Sequence, residues 1–391
     1  MLFRLRSALR GRRHSFALAA VAIAVTLGVT ACQVATARPR PSHTVRLHRH
    51  PSPQQVALTP SQPSGPSPRI MIVGDSITEG SAGDYTWQYR LYEHLLADGV
   101  RPRMVGPYGW LYNNVTLADK DGSYADPHFE HANDASWGMA LFRERVVIGG
   151  KVAAFRPDYL LVLLGLDDLF WYGLSPAVFA ANLAGFIAAA RTARPDIRIV
   201  LGLIPPDIHE QSQAFAVNLA SYNRVISVTA TQLSTTDSPI GVALDSSGIS
   251  VAADLWDGTH PNANGEIKIA AAFADVLASR FQLGQAYPKP YPVLPTGPLV
   301  HPRLTVRPSR KAAEAVLSWT RAPGADSYFV YLKDASLGAT SFTRLPFPLP
   351  AARNPWTAGL LRTGDTYTFE VQACKGVDCS AFSNPVTIIV R

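Results

Sequence analysis

Three polar side chains in this sequence are of the types that nucleophilic catalysis by a serine requires. Ser76 lies in the motif Gly74-Asp75-Ser76, which follows directly on the apolar run 70–73 and so stands at the carboxyl end of a buried strand, where open parallel sheets carry catalytic groups. Asp257 and His260 come much later and are separated by only two residues. A serine hydroxyl needs a base that takes its proton, and the base needs an acceptor that fixes its tautomer. Neither motif is specific by itself, but the combination predicts one Ser–His–Asp site.

The residues around this predicted site alternate between short apolar runs and segments with helical periodicity. Such alternation is typical of a buried parallel sheet whose strands are joined by crossover helices. We therefore predict an α/β fold, a three-layer α/β/α sandwich with Ser76 at one edge of its parallel sheet. The predicted strands are 69–73, 159–164, 197–204 and 240–244, and the predicted helices are 86–97, 177–192, 212–232 and 264–281.

On these motifs, residues 69–284 resemble the SGNH, or GDSL-type, hydrolases, a family of esterases and lipases. Gly74-Asp75-Ser76 is similar to the first motif of the family, and Asp257-x-x-His260 is similar to its last. The resemblance implies that Ser76 is the nucleophile, that His260 is the general base and then the general acid, and that Asp257 is the orienting carboxylate. It implies no metal ion and no organic cofactor.

The family forms its oxyanion hole from the N–H of the nucleophile, the N–H of a glycine and the side-chain amide of an asparagine. The resemblance therefore implies the N–H groups of Ser76 and Gly138 as two of the donors. Gly106 and Gly109 lie on the same long connection and are alternatives for the glycine, and Gly138 as a simple turn residue is a further alternative.

The third oxyanion donor is where the chain departs from the family. The expected Gly-x-Asn-Asp reads Gly165-Leu166-Asp167-Asp168, so Asp167 stands where the amide should be. An ionised carboxylate accepts hydrogen bonds, cannot donate them, and repels a developing oxyanion. Three alternatives follow: Asp167 is held protonated and donates, it is ionised and the enzyme is slow, or hydrolysis is lost and ligand binding is kept.

The N-terminus is typical of an export signal. Arginines precede the apolar run 16–31, which predicts a signal peptide over residues 1–31. Cys32 at the end of this run would become the lipidated first residue of a bacterial lipoprotein. Cleavage after Ala37 and an uncleaved anchor are the alternatives. Residues 32–68 are rich in Pro and Ser with little apolar clustering, which predicts a disordered linker and an extracytoplasmic protein, secreted or held at the cell envelope.

A second proline-rich stretch, residues 285–302, predicts a linker to a C-terminal region over residues 303–391. This region has alternating, β-rich runs with no helical period. The positions of Trp319, Tyr328 and Tyr367 resemble those in a fibronectin type III β-sandwich. Cys374 and Cys379 could close a small disulfide loop, or they could be two unpaired thiols.

The net charge of +7 does not indicate nucleic-acid binding. Five arginines lie in residues 1–31 and four in residues 32–68, with no acidic residue in either segment, so the rest of the chain is slightly acidic. The basic surface that a nucleic-acid backbone requires is therefore missing from the folded regions. We expect contact with a membrane only through a lipid on Cys32.

The resemblance implies a carboxylic ester hydrolase for acetyl or other short-chain esters, with an acylated polysaccharide or a lipid as substrate. A binding protein for a glycan or envelope ligand is the alternative that Asp167 favours, and carbohydrate binding by residues 303–391 is a third. Several aromatic residues on predicted loops could stack on sugar rings, line an acyl pocket or simply pack in the structure. These aromatic residues are Trp110, Tyr112, Trp137, Trp171 and Tyr172.

Overall fold

A computed structural model describes residues 67–244 and 248–391. The predicted signal peptide, Cys32 and nearly all of the predicted linker 32–68 lie outside the described residues. The two folded regions and the segment between them belong to one compact unit.

The α/β region is built on a six-stranded sheet in which all neighbours are parallel. Its strands, with the small β3–β4 hairpin, are β1 (Arg69–Gly74), β2 (Arg103–Met104), β3 (Leu111–Asn113), β4 (Ala118–Asp121), β5 (Asp134–Ala135), β6 (Tyr159–Leu163), β7 (Arg198–Gly202) and β8 (Ile240–Ala243). The spatial order is β2-β1-β6-β7-β8, and β5 pairs with the carboxyl end of β1. Strands β1, β6 and β7 are almost wholly buried, as a sheet covered on both faces requires.

Helices cover both faces of this sheet, so the predicted three-layer sandwich is confirmed. They are α1 (Ser76–Glu79), α2 (Thr86–Ala97), α3 (Leu141–Phe155), α4 (Leu166–Phe170), α5 (Pro176–Ala193), α6 (Gln213–Leu233), α7 (Val251–Asp254) and α8 (Ala263–Phe281). Helices α2 and α8 pack together, with the Trp87 and Phe273 rings stacked at 4.7 Å. Helix α5 packs between α3 and α6. Right-handed crossovers place these two groups on opposite faces.

Helix α3 was not predicted, because nothing near its start in the sequence caps it. Ala140 at its N-cap makes no side-chain hydrogen bond. The carboxylate of Asp168 supplies the cap from α4, accepting the N–H of Leu141 at 2.6 Å and that of Phe142 at 3.1 Å. A buried carboxylate that accepts two free N–H groups of a helix end replaces the usual local cap.

The C-terminal region is all-β, and every strand pair in it is antiparallel. Its strands are β9 (Leu304–Pro308), β10 (Ala315–Trp319), β11 (Ser327–Asp334), β12 (Thr343–Arg344), β13 (Leu349–Pro350), β14 (Trp356–Ala358), β15 (Thr366–Lys375), β16 (Asp378–Phe382) and β17 (Val386–Ile389). A three-stranded sheet and a six-stranded sheet share one core that includes Trp319, Tyr328 and Tyr367. Cys374 and Cys379 form a disulfide where β15 turns into β16.

The proline-rich residues 285–302 contain no helix or strand, but they pack against both folded regions. The N–H of Leu294 donates to the side chain of Asn264 in α8 at 2.9 Å. The hydroxyl of Thr296 donates to the carboxylate of Asp378 in β16 at 2.7 Å. This segment therefore joins the two regions through specific hydrogen bonds.

Candidate active site

The turn from β1 into α1 sets the position of Ser76. A side chain at Gly74 would place its Cβ 2.0 Å from Thr78 Oγ1, so only glycine fits there. Asp75 caps the turn by accepting the N–H of Ile77 at 3.0 Å. Ser76 is thus the first residue of a single helical turn at the carboxyl end of a central strand, as the sequence predicts.

His260 and Asp257 lie on a short segment that we call the His260 loop, residues 255–262. Asp257 Oδ1 accepts the N–H of Thr259 at 3.0 Å and the N–H of His260 at 2.8 Å, which folds the loop back on itself. The Thr259 hydroxyl donates to the buried carboxylate of Asp207 at 2.7 Å. Sequence reasoning missed Asp207, because no motif links it to a residue so far along the chain.

Ser76, His260 and Asp257 meet at the carboxyl edge of the sheet. His260 Nε2 lies 2.9 Å from Ser76 Oγ, and His260 Nδ1 lies 2.7 Å from Asp257 Oδ2. Burial acts to raise the pKa of Asp257, but the hydrogen bond and charge of His260 outweigh it, so the pKa is lowered. Asp257 is therefore ionised at neutral pH and can orient the ring and stabilise an imidazolium.

Two tryptophans hold the imidazole in place. The Trp137 ring stacks on His260 with 4.3 Å between ring centroids, and the Trp256 ring stacks at 5.4 Å. Tyr112 in turn stacks on Trp137 at 4.2 Å. Since Trp137 and Tyr112 lie beside the site and Trp256 is in the His260 loop itself, aromatic packing restricts the ring orientations open to His260.

Gly138, the predicted glycine donor, follows Trp137 directly and lies beside the Ser76 turn. The preceding Ser136 N–H donates to the Gly74 carbonyl at 3.2 Å, which ties this loop to the end of β1. Gly138 has a φ of +78°, a conformation that favours glycine. Within residues 67–244 and 248–391, the N–H groups of Ser76 and Gly138 donate to no backbone carbonyl outside regular helices and strands.

The alternative glycines have packing roles instead. A Cβ on Gly106 would lie 2.1 Å from the carbonyl oxygen of Asn133, and one on Gly109 would lie 2.9 Å from the His131 ring. Both glycines therefore let backbone and side chains pack closely, and neither position needs a catalytic explanation. Trp110 contacts Tyr108, with ring centroids 4.9 Å apart.

Asp167 lies in α4, buried against the site. Its pKa is raised to about 6, by burial first and by the neighbouring Asp168 carboxylate second, while the charge of His260 acts in the opposite direction. Its Oδ2 atom has no hydrogen-bond partner among the described residues. The pKa of Asp75 is also raised, by burial first and by Asp167 second. Several carboxyl groups thus share a desolvated site, which disfavours the ionised form of each.

The end of α4 presents exposed aromatic rings next to this carboxyl cluster. Trp171 is 67% exposed and Tyr172 is 39% exposed, and Tyr172 packs edge-on against Phe142. Of the five aromatic residues singled out from the sequence, Trp137 contacts His260, and Tyr112 contacts Trp137.

Glu79 supports the backbone at Trp137, and its raised pKa leads us to predict that the stability of the protein depends on pH. Its side chain is fully buried, and Oε2 accepts the Trp137 N–H at 2.5 Å. Burial raises the pKa of Glu79 to about 8. The native state therefore holds a proton that the unfolded chain releases near pH 4.5, so stability falls as the pH rises from about 4.5 to 8.

We expect Glu79→Gln to remove this loss, because glutamine keeps the acceptor for Trp137 and carries no charge. The free energy of unfolding should rise by roughly 5 kcal/mol at pH 9, because the rise of the Glu79 pKa from 4.5 to about 8 costs about 1.4 kcal/mol per pKa unit, and it should change little at pH 4. Urea unfolding at the two pH values measures the difference. An equal change in the free energy of unfolding at pH 4 and at pH 9 would contradict this explanation.

With this geometry in place, comparisons with known proteins give the family. Residues 72–266 match the model of the GDSL-like lipase/acylhydrolase family, and this part of the chain is a domain of that family. A family 3 carbohydrate esterase from Talaromyces cellulolyticus is similar at 21% identity and a TM-score of 0.46, over 55% of this chain and 98% of that chain. A family 3 carbohydrate esterase from Clostridium thermocellum is similar at 22% identity and a TM-score of 0.44, over the same shares. No curated protein matches the sequence.

Proposed function

We propose that this protein is a serine esterase that acts by double displacement. Ser76 attacks the ester carbonyl while His260 takes its proton, and the tetrahedral intermediate collapses as His260 gives that proton to the leaving alcohol. Water, activated by His260, then attacks the acyl-enzyme and releases the acid. Asp257 keeps His260 in the tautomer that this sequence of proton transfers needs.

The observation that carries the proposal is the pair of contacts on His260. One ring nitrogen is 2.9 Å from the Ser76 hydroxyl, and the other is 2.7 Å from the Asp257 carboxylate. These are the two hydrogen bonds that a serine nucleophile requires. Membership in an acylhydrolase family supports the same reaction class.

Within this proposal, the N–H groups of Ser76 and Gly138 and the protonated side chain of Asp167 bind the oxyanion. The raised pKa of Asp167, about 6, supports a carboxyl group that is protonated for part of the time near neutral pH. A carboxylic acid kept neutral by its surroundings can donate such a hydrogen bond. Asp168 does not bind the oxyanion in this proposal, because its carboxylate is engaged in capping the N-terminus of α3.

We further propose that the substrate is a polysaccharide or cell-envelope component that carries short-chain acyl esters, with acetyl as the first acyl group to test. The predicted export signal supports a location outside the cytoplasm, either free or with a lipid on Cys32. The C-terminal region is proposed to be of the fibronectin type III kind, which its two antiparallel sheets support.

Two measurements on the full chain test the proposal. Wild-type protein should hydrolyse p-nitrophenyl acetate faster than the butyrate and octanoate esters, and a serine-reactive fluorophosphonate should label it at a single residue. Ser76→Ala should lose both hydrolysis and labelling. Labelling at another serine, or hydrolysis that survives Ser76→Ala, would refute the assignment.

A glycan-binding protein without useful turnover is the second candidate, and Asp167 is the observation that favours it. If Asp167 is ionised in the working protein, one oxyanion donor becomes a repelling charge, which lowers the rate by on the order of 10²–10³. Binding of acetylated xylan by Ser76→Ala and by wild type, with no acetate released by the wild type, would support this candidate over the esterase.

A further inference from the structure

The disulfide loop of the all-β region rests on the loop that carries His260. We call residues 374–379 the docking loop, because its two ends are the bonded cysteines and the residues between them contact the α/β region. The Val377 N–H donates to the Trp256 carbonyl at 2.9 Å. Gly376 lies so close that a Cβ there would be 1.9 Å from the same carbonyl oxygen.

Asp378 holds the other end of the His260 loop. Its Oδ2 accepts a hydrogen bond from Asn262 Nδ2 at 3.0 Å. Asn262 is also the N-cap of α8, since its Oδ1 accepts the N–H groups of Asn264 and Gly265. The docking loop therefore contacts residue 256 and residue 262, and His260 lies between these two points.

Lys375 adds a buried ion pair to the same interface. Its ammonium group lies 2.6 Å and 2.7 Å from the two oxygens of Asp84 and 4.9 Å from the centroid of the Trp256 ring. The Lys375 side chain is only 5% exposed. Moving the docking loop away would leave the buried Lys375 charge without its carboxylate and its aromatic face, which is costly, so this pair specifies where the docking loop lies against the α/β region.

We propose that the docking loop is a positioning element for His260, so that the all-β region is a working part of the active site and not a spacer. This inference rests on the proposed function for the reaction that His260 serves. The path of the effect is short: the docking loop holds the backbone of Trp256 and the side chain of Asn262, and the Trp256 ring stacks on the imidazole of His260. The disulfide keeps the docking loop in the conformation that makes these contacts.

Gly376→Ala tests the proposal without removing any polar group. The added methyl would meet the Trp256 carbonyl and push the docking loop away from the His260 loop. Gly338→Ala is the matched control, because Gly338 also has a positive φ, +70° against +53°, in the same region, and a Cβ there meets nothing within 4 Å. Both variants carry similar backbone strain, and only one disturbs the interface.

We expect Gly376→Ala to lower kcat for p-nitrophenyl acetate at least tenfold, with KM changed less than about twofold, while Gly338→Ala keeps both values. A small misplacement of a catalytic base lowers the rate of the chemical step far more than it weakens substrate binding. If Gly376→Ala and Gly338→Ala have the same kcat, the positioning role is refuted. If wild-type protein has no activity, the proposed function fails instead.

Proton NMR gives a readout that does not depend on turnover. The Nδ1 proton of His260, shared with Asp257, should give a far-downfield resonance in wild type and in Gly338→Ala, and this resonance should weaken or vanish in Gly376→Ala. Asp378→Ala should repeat the effect if Gly376→Ala does not fold, with Asp237→Ala as its control, since Asp237 is exposed and lies outside the docking loop. An unchanged resonance in both docking-loop variants would overturn the proposal.

Discussion

His260→Ala is expected to lower kcat/KM for p-nitrophenyl acetate by on the order of 10⁴. Without the imidazole, no group among the described residues is within hydrogen-bonding reach of Ser76 Oγ to take its proton. Asp257 would then be left as a charge with no partner on its Oδ2. Steady-state kinetics at pH 8 measures the loss, and circular dichroism verifies the fold.

The surface offers a matched control for this substitution. His128 also pairs with an aspartate, Asp126, at 3.1 Å, but its side chain is 89% exposed. His128→Ala should leave kcat/KM within about twofold of wild type, because exposed ion pairs contribute little. A similar loss in the two variants would mean that His260 has no special role, and the proposed mechanism would fail.

Asp167→Asn is expected to raise activity, which is the reverse of the usual result of changing a residue in an active site. An amide donates a hydrogen bond to the oxyanion at every pH, whereas the carboxyl group does so only when protonated. One oxyanion donor contributes on the order of 10²–10³ in rate. At pH 8, well above the Asp167 pKa of about 6, we expect a gain on the order of 10² in kcat.

The pH dependence of this gain distinguishes it from a general improvement. As the pH falls below about 6, Asp167 becomes protonated in the wild type and can donate, so the ratio of variant to wild-type kcat should fall towards one. As the pH rises, the ionised fraction grows and the ratio should rise. A ratio that stays constant between pH 5 and pH 8.5, or a variant slower than wild type, would rule out this account of the oxyanion hole.

Asp168→Asn is the matched control for Asp167→Asn. Asp168 accepts two N–H groups at the start of α3, and the pKa of its carboxyl group is raised to about 6 mainly by burial. An amide can accept at one oxygen only, so we expect lower stability and no gain in kcat at pH 8. An equal gain in the two variants would show that relief of charge repulsion, and not hydrogen-bond donation, causes the effect.

The local elements of the α/β region could be predicted from the sequence. The four long strands and four long helices that the apolar periodicity predicts are all present, within a few residues at each end. The reason is that a strand buried on both faces and an amphipathic helix each leave a pattern in consecutive residues. Short strands such as β2 and β5, and helix α3, leave no such pattern and were missed.

The sequence by itself also determined the local conformation of the Ser76 turn and of the His260 loop, because each is a short motif whose hydrogen bonds join residues two or three positions apart. Only the tertiary structure decided what supports them. Asp168 meets the N-terminus of α3 across 27 residues, Asp207 meets Thr259 across 52, and Asp378 meets Asn262 across 116. Contacts at such separations depend on how whole elements pack, and no run of neighbouring residues encodes them.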